Sequence, residues 1–244
     1  MLNTNLNNNK KIEQKPTGYC GDCELCTKTV DNRRVRIQSN EIAAIEAIID
    51  SHIMIEKNQT VYTAGNTFQN LYTVHSGMFK SVYLTQQGDE RIVDVFIPGQ
   101  IMGFDGIHDG KYKTTVKAVS SGSYCVIPFY PLQELSMKHR DIQNRLMKMM
   151  SEKIIQFEIT HSEYNAQQKL VSFVKDVSEL YYSRGFSAKQ FPFQISQRDL
   201  ANYLGLAEET LSRVFKKLKK NDVLALADHQ ITIIDMPKFL SVLD

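Results

Sequence analysis

The chain has 244 residues, with 29 Lys and Arg against 27 Asp and Glu and a formal net charge of +2. Hydrophobic residues make up 42% and charged residues 23%, a mixture typical of folded globular proteins, which excludes collagen-like, disordered and disulfide-dense chains. Because the charges nearly cancel, any surface that binds nucleic acid must be basic locally.

Residues 1–19 are predicted to form a flexible tail. They are rich in Asn and lack the apolar stretch of a secretion signal. No apolar run in the chain approaches the roughly 18 residues that a membrane-spanning helix needs. We therefore expect a cytoplasmic protein that has no membrane partner.

Three of the four cysteines follow this tail closely, as Cys20, Cys23 and Cys26, and the fourth is Cys125. In a reducing compartment, clustered thiols are more often metal ligands or redox groups than structural disulfides. Three interpretations are open: an iron–sulfur cluster, a structural zinc ion held by four thiolates, or a dithiol redox switch. The isolated position of Cys125 favours the cluster, because zinc sites usually pair two Cys-x2-Cys units.

The next segments predict a helix and then a β-rich domain. Apolar residues at helical spacing predict a short helix from Glu41 to Ile49. From about Ile53 to Phe129, short β-rich runs are separated by regularly spaced glycines. This pattern predicts an antiparallel sandwich or jelly roll, with an α+β domain as the alternative.

From Leu132 to about Ser183 the pattern becomes helical, and Gly185 is suited to end it as a helix C-cap. Apolar side chains recur at alternating spacings of three and four, as in the seam of paired helices. This seam is compatible with packing on its own domain or against a second copy of the chain. We expect a homodimer interface, because the helix must bridge two domains. The seam consists of Met147, Met150, Ile154, Phe157 and His161.

The stretch from Ile195 to Leu206 predicts the first helix and the turn of a helix-turn-helix. Ser196 is expected to cap this helix, with Asp199 three residues later as a weak capping box. Gly205 permits the positive backbone angle that a tight turn between two helices needs.

The second helix is predicted from Ala207 to about Lys220, and a strand at Ile231–Ile234 closes a winged arrangement. On its exposed face Arg can bond guanine, Glu can accept from cytosine, and Ser can serve either partner. The candidate base contacts are Glu209, Ser212 and Arg213. Between residues 208 and 220, five basic residues minus two acidic ones give a local charge of +3. The candidate phosphate contacts are Ser196, Lys216, Lys217 and Lys220.

Three groups of residues resemble the FNR branch of the CRP/FNR transcription regulators over nearly the whole chain. The first group resembles the family's recognition helix: Gly205-Leu206-x-x-Glu209-Thr210-Leu211-Ser212-Arg213. The second group resembles part of the family's β-roll: Gly88-Asp89-Glu90-Arg91-Ile92 together with Pro98-Gly99-x-x-x-Gly103-Phe104-Asp105. The third group resembles the family's four ligands to an oxygen-labile [4Fe-4S] cluster: Cys20, Cys23, Cys26 and Cys125.

The resemblance implies an α+β chain with an N-terminal β-roll of the jelly-roll, cyclic-nucleotide-binding type, a long dimerisation helix and a C-terminal winged helix-turn-helix. The expected domains are the tail at 1–19, a cluster-binding sensory β-roll at 20–130, a dimerisation helix and linker at 131–183, and the DNA-binding domain at 184–244.

The resemblance also implies an oxygen sensor. An electron carrier or enzyme that uses the cluster is not expected, because the cysteine run lacks the closing Cys-Pro of ferredoxins and the chain has no Ser-His-Asp set, Walker loop or GxGxxG motif. Without oxygen, a dimer would bind palindromes like TTGAT-N4-ATCAA and activate or repress genes of anaerobic metabolism. Oxygen would convert the cluster to [2Fe-2S] and loosen the dimer. Surface loops such as residues 86–88 would contact RNA polymerase. The alternative is a DNA-binding regulator of the same fold whose cysteines form a zinc or dithiol redox site.

The sequence departs from the family's pattern at two places. Only two residues separate Cys23 from Cys26, fewer than is usual in the family, and Ala207 stands where a Thr cap is common. The nucleotide-binding branch needs a carboxylate for the ribose, but Gln100 follows Gly99 here. Near the phosphate position the chain has Lys113-Thr114-Thr115 instead of an Arg-Ser/Thr pair, so we expect no cyclic nucleotide.

Overall fold

The computed structural model describes residues 12–13, 23–30, 33–160 and 164–244. The strands are β1 Ile12–Glu13, β2 Thr27–Val30, β3 Arg33–Arg36, β4 Ser51–Ile55, β5 Thr60–Tyr62, β6 Asn70–Ser76, β7 Phe79–Leu84, β8 Glu90–Phe96, β9 Ile101–Met102, β10 Thr115–Ala118, β11 Gly122–Pro128, β12 Gln190–Pro192, β13 Leu224–Ala227 and β14 Gln230–Ile233. The helices are α1 Ser39–Ile48, α2 Phe129–Lys138, α3 Arg140–Thr160, α4 Ala166–Ser183, α5 Gln197–Leu204, α6 Glu208–Lys220 and α7 Met236–Leu240. Among these described helices, none combines the length and the apolarity needed to cross a membrane.

Two antiparallel sheets form the predicted β-roll. One has the strand order β1-β4-β11-β6-β9 and the other the order β5-β10-β7-β8. Their facing surfaces bury large apolar side chains such as Leu71, Phe79, Ile101 and Tyr124. Burying one face of each sheet is what makes such a pair of sheets stable. The fold class expected from the sequence is confirmed.

The predicted helical region after the roll consists of three helices. α2 and the inner face of α3 pack on the roll, where Ile142 and Met149 are buried in its core. α4 begins with a capping box, since Asn165 accepts from the backbone N–H of Gln167 and Gln168, and Gln168 accepts from the backbone N–H of Asn165. The apolar face of α4 packs into the core of the C-terminal domain.

The C-terminal domain is a winged helix-turn-helix. α4, α5 and α6 pack on the three-stranded sheet β12-β14-β13, with Leu200, Leu211, Phe215 and Ile231 buried between them. The strand predicted at 231–234 is β14. This core is continuous with apolar side chains on the outer surface of the roll, namely Met78, Val82, Ile92, Val95, Ile97 and Val119. The C-terminal domain therefore packs directly on the β-roll.

Candidate DNA-binding surface and thiol site

Helix α6 buries one face and exposes the other. Leu211, Phe215 and Leu218 are buried, whereas Glu209 and Arg213 are exposed and lie one helical turn apart. Ser212 is half-buried. The Arg213 guanidinium donates to Thr210 Oγ1 at 3.2 Å, which orients it along the helix surface. The predicted base contacts thus lie on the solvent-facing side of α6, where a major groove can receive them.

The charged side chains of α6 are distributed so that they interact favourably with its helix dipole. Glu208 and Glu209 lie in the first turn and three of the four lysines in the last, so acidic side chains meet the positive end and basic ones the negative end. Ala207 precedes the helix and contributes no capping oxygen. The exposed lysines are Lys216, Lys217, Lys219 and Lys220.

The turn between α5 and α6 has the predicted local geometry. Ser196 Oγ accepts from the backbone N–H of Asp199 at 3.0 Å, which confirms the N-cap. Gly205 ends α5 with a φ of +65°, in the left-handed region that favours glycine. Ser196 is exposed, so its hydroxyl lies on a surface that a phosphate can approach.

The capping box expected from Asp199 does not form, because this carboxylate faces the β-roll. Its Oδ1 lies 2.8 Å from Lys80 Nζ on β7. Asn202, one turn later, accepts from the Ile92 N–H at 2.7 Å and donates to the Glu90 carbonyl at 2.9 Å. These partners are more than 100 positions away in the sequence, so local pattern could not identify them.

The cysteine turn packs into the core of the roll. Cys26 is fully buried, and its N–H donates to the Cys23 carbonyl at 3.0 Å. The Thr27 hydroxyl donates to the same carbonyl, and the Glu24 N–H donates to the Gly99 carbonyl at 2.9 Å. A side-chain hydrogen bond from Cys26 lowers the pKa of Cys23 to about 7, against the opposing effect of burial. A lowered pKa increases the share of thiolate at neutral pH, and the thiolate is the form that binds metals.

Cys125 lies half-buried in the middle of β11, opposite His52 on β4 and Thr73 on β6. Among the described residues, no three His, Cys, Asp or Glu side chains converge as a metal site, so Cys125 is not gathered with Cys23 and Cys26. Cys20 lies outside the described residues. The adjacent thiols of Cys23 and Cys26 fit the donor chemistry of two cluster ligands.

The predicted seam lies on the outer face of α3. Met147, Met150 and Ile154 are 63%, 41% and 60% exposed, although α3 buries its opposite face in the roll. The side chain of Phe157 and the whole of His161 lie outside the described residues. The alternative interpretation, in which the seam packs on its own domain, is therefore contradicted for these three side chains. An apolar stripe of this kind is typical of a face that pairs with another helix.

Two polar residues near the expected nucleotide position are engaged within the chain. Gln100 Oε1 accepts from the Ile97 N–H at 3.1 Å and closes its own loop. The Lys113 ammonium forms an exposed ion pair with Asp109.

Comparison with known proteins gives matches to both halves of the chain. Residues 53–139 match the cyclic nucleotide-binding domain family, and residues 168–241 match the Crp-like helix-turn-helix domain family. The second match begins within α4, in agreement with the packing of this helix in the C-terminal core.

Relatives match most of the chain. The electron transport regulator A of Shewanella oneidensis is 31% identical over 89% of this chain and 87% of its own length. The fumarate and nitrate reduction regulatory protein of Escherichia coli K12 is 32% identical over 88% of this chain and 86% of its own. The structure of FixK2 from Bradyrhizobium japonicum shares the fold, with a TM-score of 0.66 and 20% identity over 78% of this chain and 96% of that one. On these matches, the chain belongs to the CRP/FNR family of transcription regulators.

Proposed function

We propose that this protein is an oxygen-sensing global transcription regulator of the cytoplasm. Under anaerobic conditions, a homodimer binds palindromes like TTGAT-N4-ATCAA and activates or represses genes of anaerobic metabolism. Cys20, Cys23, Cys26 and Cys125 hold a [4Fe-4S] cluster. No cyclic nucleotide takes part, and the exposed turn at residues 86–88 between β7 and β8 contacts RNA polymerase.

The observation that carries the proposal is the shared core of the cysteine turn and α3. Leu25 and Cys26 are buried in the same apolar cluster as Ile142 and Met149, which lie on the inner face of α3. The outer face of this helix carries the exposed seam. Because interiors are close-packed, a rearrangement at the cysteine turn changes the packing of α3 on the roll.

The cluster, when bound, supplies an oxygen-labile centre. The protein contributes the thiolates and a turn anchored by the hydrogen bond from Glu24 to Gly99. On the DNA side, Arg213 pairs with a guanine, while Glu209 and Ser212 address neighbouring bases. The lysines of α6 and the hydroxyl of Ser196 contact phosphates, which set the position of the helix but carry no sequence information.

The first experiment measures iron and acid-labile sulfide per monomer in protein purified without oxygen. About four of each is expected for a cubane with four thiolate ligands. Binding to a TTGAT-N4-ATCAA duplex is then measured before and after exposure to air, and we expect affinity to fall in air. A sulfide-free protein, or binding that is unaffected by air, would contradict oxygen sensing through a cluster.

The DNA contacts are tested with Arg213→Ala. Loss of a bidentate base contact costs about 1–3 kcal/mol, or roughly 5- to 150-fold in affinity for the specific site. Arg91→Ala is the matched control, because Arg91 is also exposed but lies on β8 of the roll. Equal affinities for the two variants would refute the assignment of Arg213.

One observation favours the alternative of a zinc or dithiol redox site. In the described part of the chain, Cys23 and Cys26 are in direct contact and Cys125 is apart from them. A pair of adjacent thiols with a lowered pKa is typical of a Cys-x2-Cys redox pair or half of a zinc site. Bound zinc without sulfide in the anaerobic protein would establish this alternative for the same DNA-binding dimer.

A further inference from the structure

The carboxylate of Asp105, which is partly buried at the edge of the β-roll, is the acceptor of a convergent set of donors. Its Oδ2 accepts from the backbone N–H groups of Lys113 and Thr114, both at 2.9 Å, and from the Thr114 hydroxyl at 2.8 Å. Its Oδ1 accepts from the Tyr62 hydroxyl at 3.2 Å. Four donors thus surround a single carboxylate.

This arrangement has the chemistry of an anion site. Two successive backbone N–H groups that point to one oxygen form a cradle for a negative charge, as in many phosphate sites. The Thr114 hydroxyl accepts from Ser81 Oγ at 2.6 Å, so its own hydrogen is free to point to Asp105. Both of these hydroxyl-bearing residues are buried. The only anion that these donors meet in the described residues is the carboxylate of Asp105.

The interior beside this cradle is filled by aromatic rings. The Tyr62 ring stacks on Tyr112 with centroids 4.0 Å apart and on Tyr72 at 5.4 Å. The Tyr112 hydroxyl donates to the Asn70 carbonyl at 2.7 Å, which fixes the stack on β6. Since Tyr62 also donates to Asp105, the stack and the cradle form one connected unit.

All of these residues lie within the segment that matches the cyclic nucleotide-binding domain family, residues 53–139. A cyclic nucleotide is a base and a sugar joined to one phosphate anion. We propose that Asp105 is an internal ligand of this domain: its carboxylate occupies the anion cradle in place of an external oxyanion. The roll is then held in a ligand-bound form by its own side chain.

This inference deepens the proposed absence of a cyclic nucleotide and rests on that part of the proposed function. It is independent of the cluster and of DNA, so both are left out of its test. The test compares the thermal unfolding of the full chain with that of Asp105→Ala. The probes are sodium formate, inorganic phosphate and cyclic AMP, each against sodium chloride at the same ionic strength.

We expect Asp105→Ala to lower Tm by about 5 °C or more, because several hydrogen bonds to a charged group are lost. Formate is expected to raise Tm of this variant more than chloride does, since it replaces the missing carboxylate. Wild-type protein is expected to show no saturable stabilisation by any of the three probes at millimolar concentration, which separates binding from the general effect of salts on stability. Asp109→Ala is the matched control, because this carboxylate lies in the same loop but is exposed. It should lose little stability and show no response to formate.

Two results would overturn the proposal. One is saturable stabilisation of the wild type by phosphate or cyclic AMP, which would mean that an external anion enters the cradle. The other is an Asp105→Ala variant that formate does not stabilise beyond chloride. If that variant fails to fold, formate should increase its refolding yield. Asp105→Asn, which keeps the shape without the charge, should lose stability and gain no response to formate; wild-type stability of this variant would also refute the proposal.

Discussion

The packing of α5 on β8 gives a quantitative prediction for Asn202→Ala. β8 is an edge strand of the four-stranded sheet, and the Asn202 amide bonds two backbone groups on its outer edge. In the variant, the Ile92 N–H and the Glu90 carbonyl lose this partner. A neutral hydrogen bond contributes about 0.5–1.5 kcal/mol. Because Asn202 is exposed and water replaces part of the loss, we expect a decrease in the free energy of unfolding of about 1–2 kcal/mol.

For a chain of this size, that decrease corresponds to a fall in Tm of roughly 2–8 °C. The assay is thermal unfolding followed by circular dichroism, with Gln197→Ala as the control. Gln197 lies on the same helix with an exposed side chain, and surface substitutions of this kind change stability by about 0.5 kcal/mol or less. Equal stability of the two variants would show that the contact between the domains does not stabilise the protein.

Three further substitutions test separate features. Ile154→Asp puts a charge in the exposed seam and should shift the dimer to monomer in sedimentation, whereas Lys148→Asp, at an exposed polar position of α3 outside the seam, should not; equal behaviour would remove the seam from the interface. Lys216→Ala should weaken binding to all duplexes alike and reduce the slope of log K against log salt by about 0.9, and an unchanged slope would exclude a phosphate contact. Ser196→Ala should cost about 1 kcal/mol of stability through the lost N-cap, measured by urea unfolding; wild-type stability would contradict the cap.

The helix-turn-helix could be predicted from sequence because its determinants are local. Ser196 caps α5 through a group three residues away, and Gly205 adopts its positive φ within the turn itself. The alternation of buried and exposed positions on α6 follows directly from helical periodicity. The same holds for the seam on α3, whose spacing alone predicted an apolar face.

Features that depend on distant partners could not be predicted. Asp199 has the spacing of a capping box, but Lys80 lies close enough to pair with it, so the tertiary contact prevails over the local one. The sequence also placed Lys113 near a phosphate position. In the structure its backbone N–H belongs to the anion cradle, while its side chain pairs with Asp109. Residue type and spacing do not specify which of a residue's donors faces the interior.

Strand β8 connects the two parts of the protein that the proposed function must couple. Near one end, Asp94 pairs with Lys153 of α3 at 2.6 Å, and the Lys153 ammonium lies 4.9 Å from the centre of the Phe96 ring. Near the other end, Asn202 of α5 bonds the backbone of the same strand. Lys153 is the neighbour of Ile154 in the seam. A shift of α3 relative to the roll therefore acts on the strand that holds the first helix of the helix-turn-helix. This packed route does not depend on the chain segment between α3 and α4, and it gives the seam and the first helix of the helix-turn-helix a physical connection within one subunit.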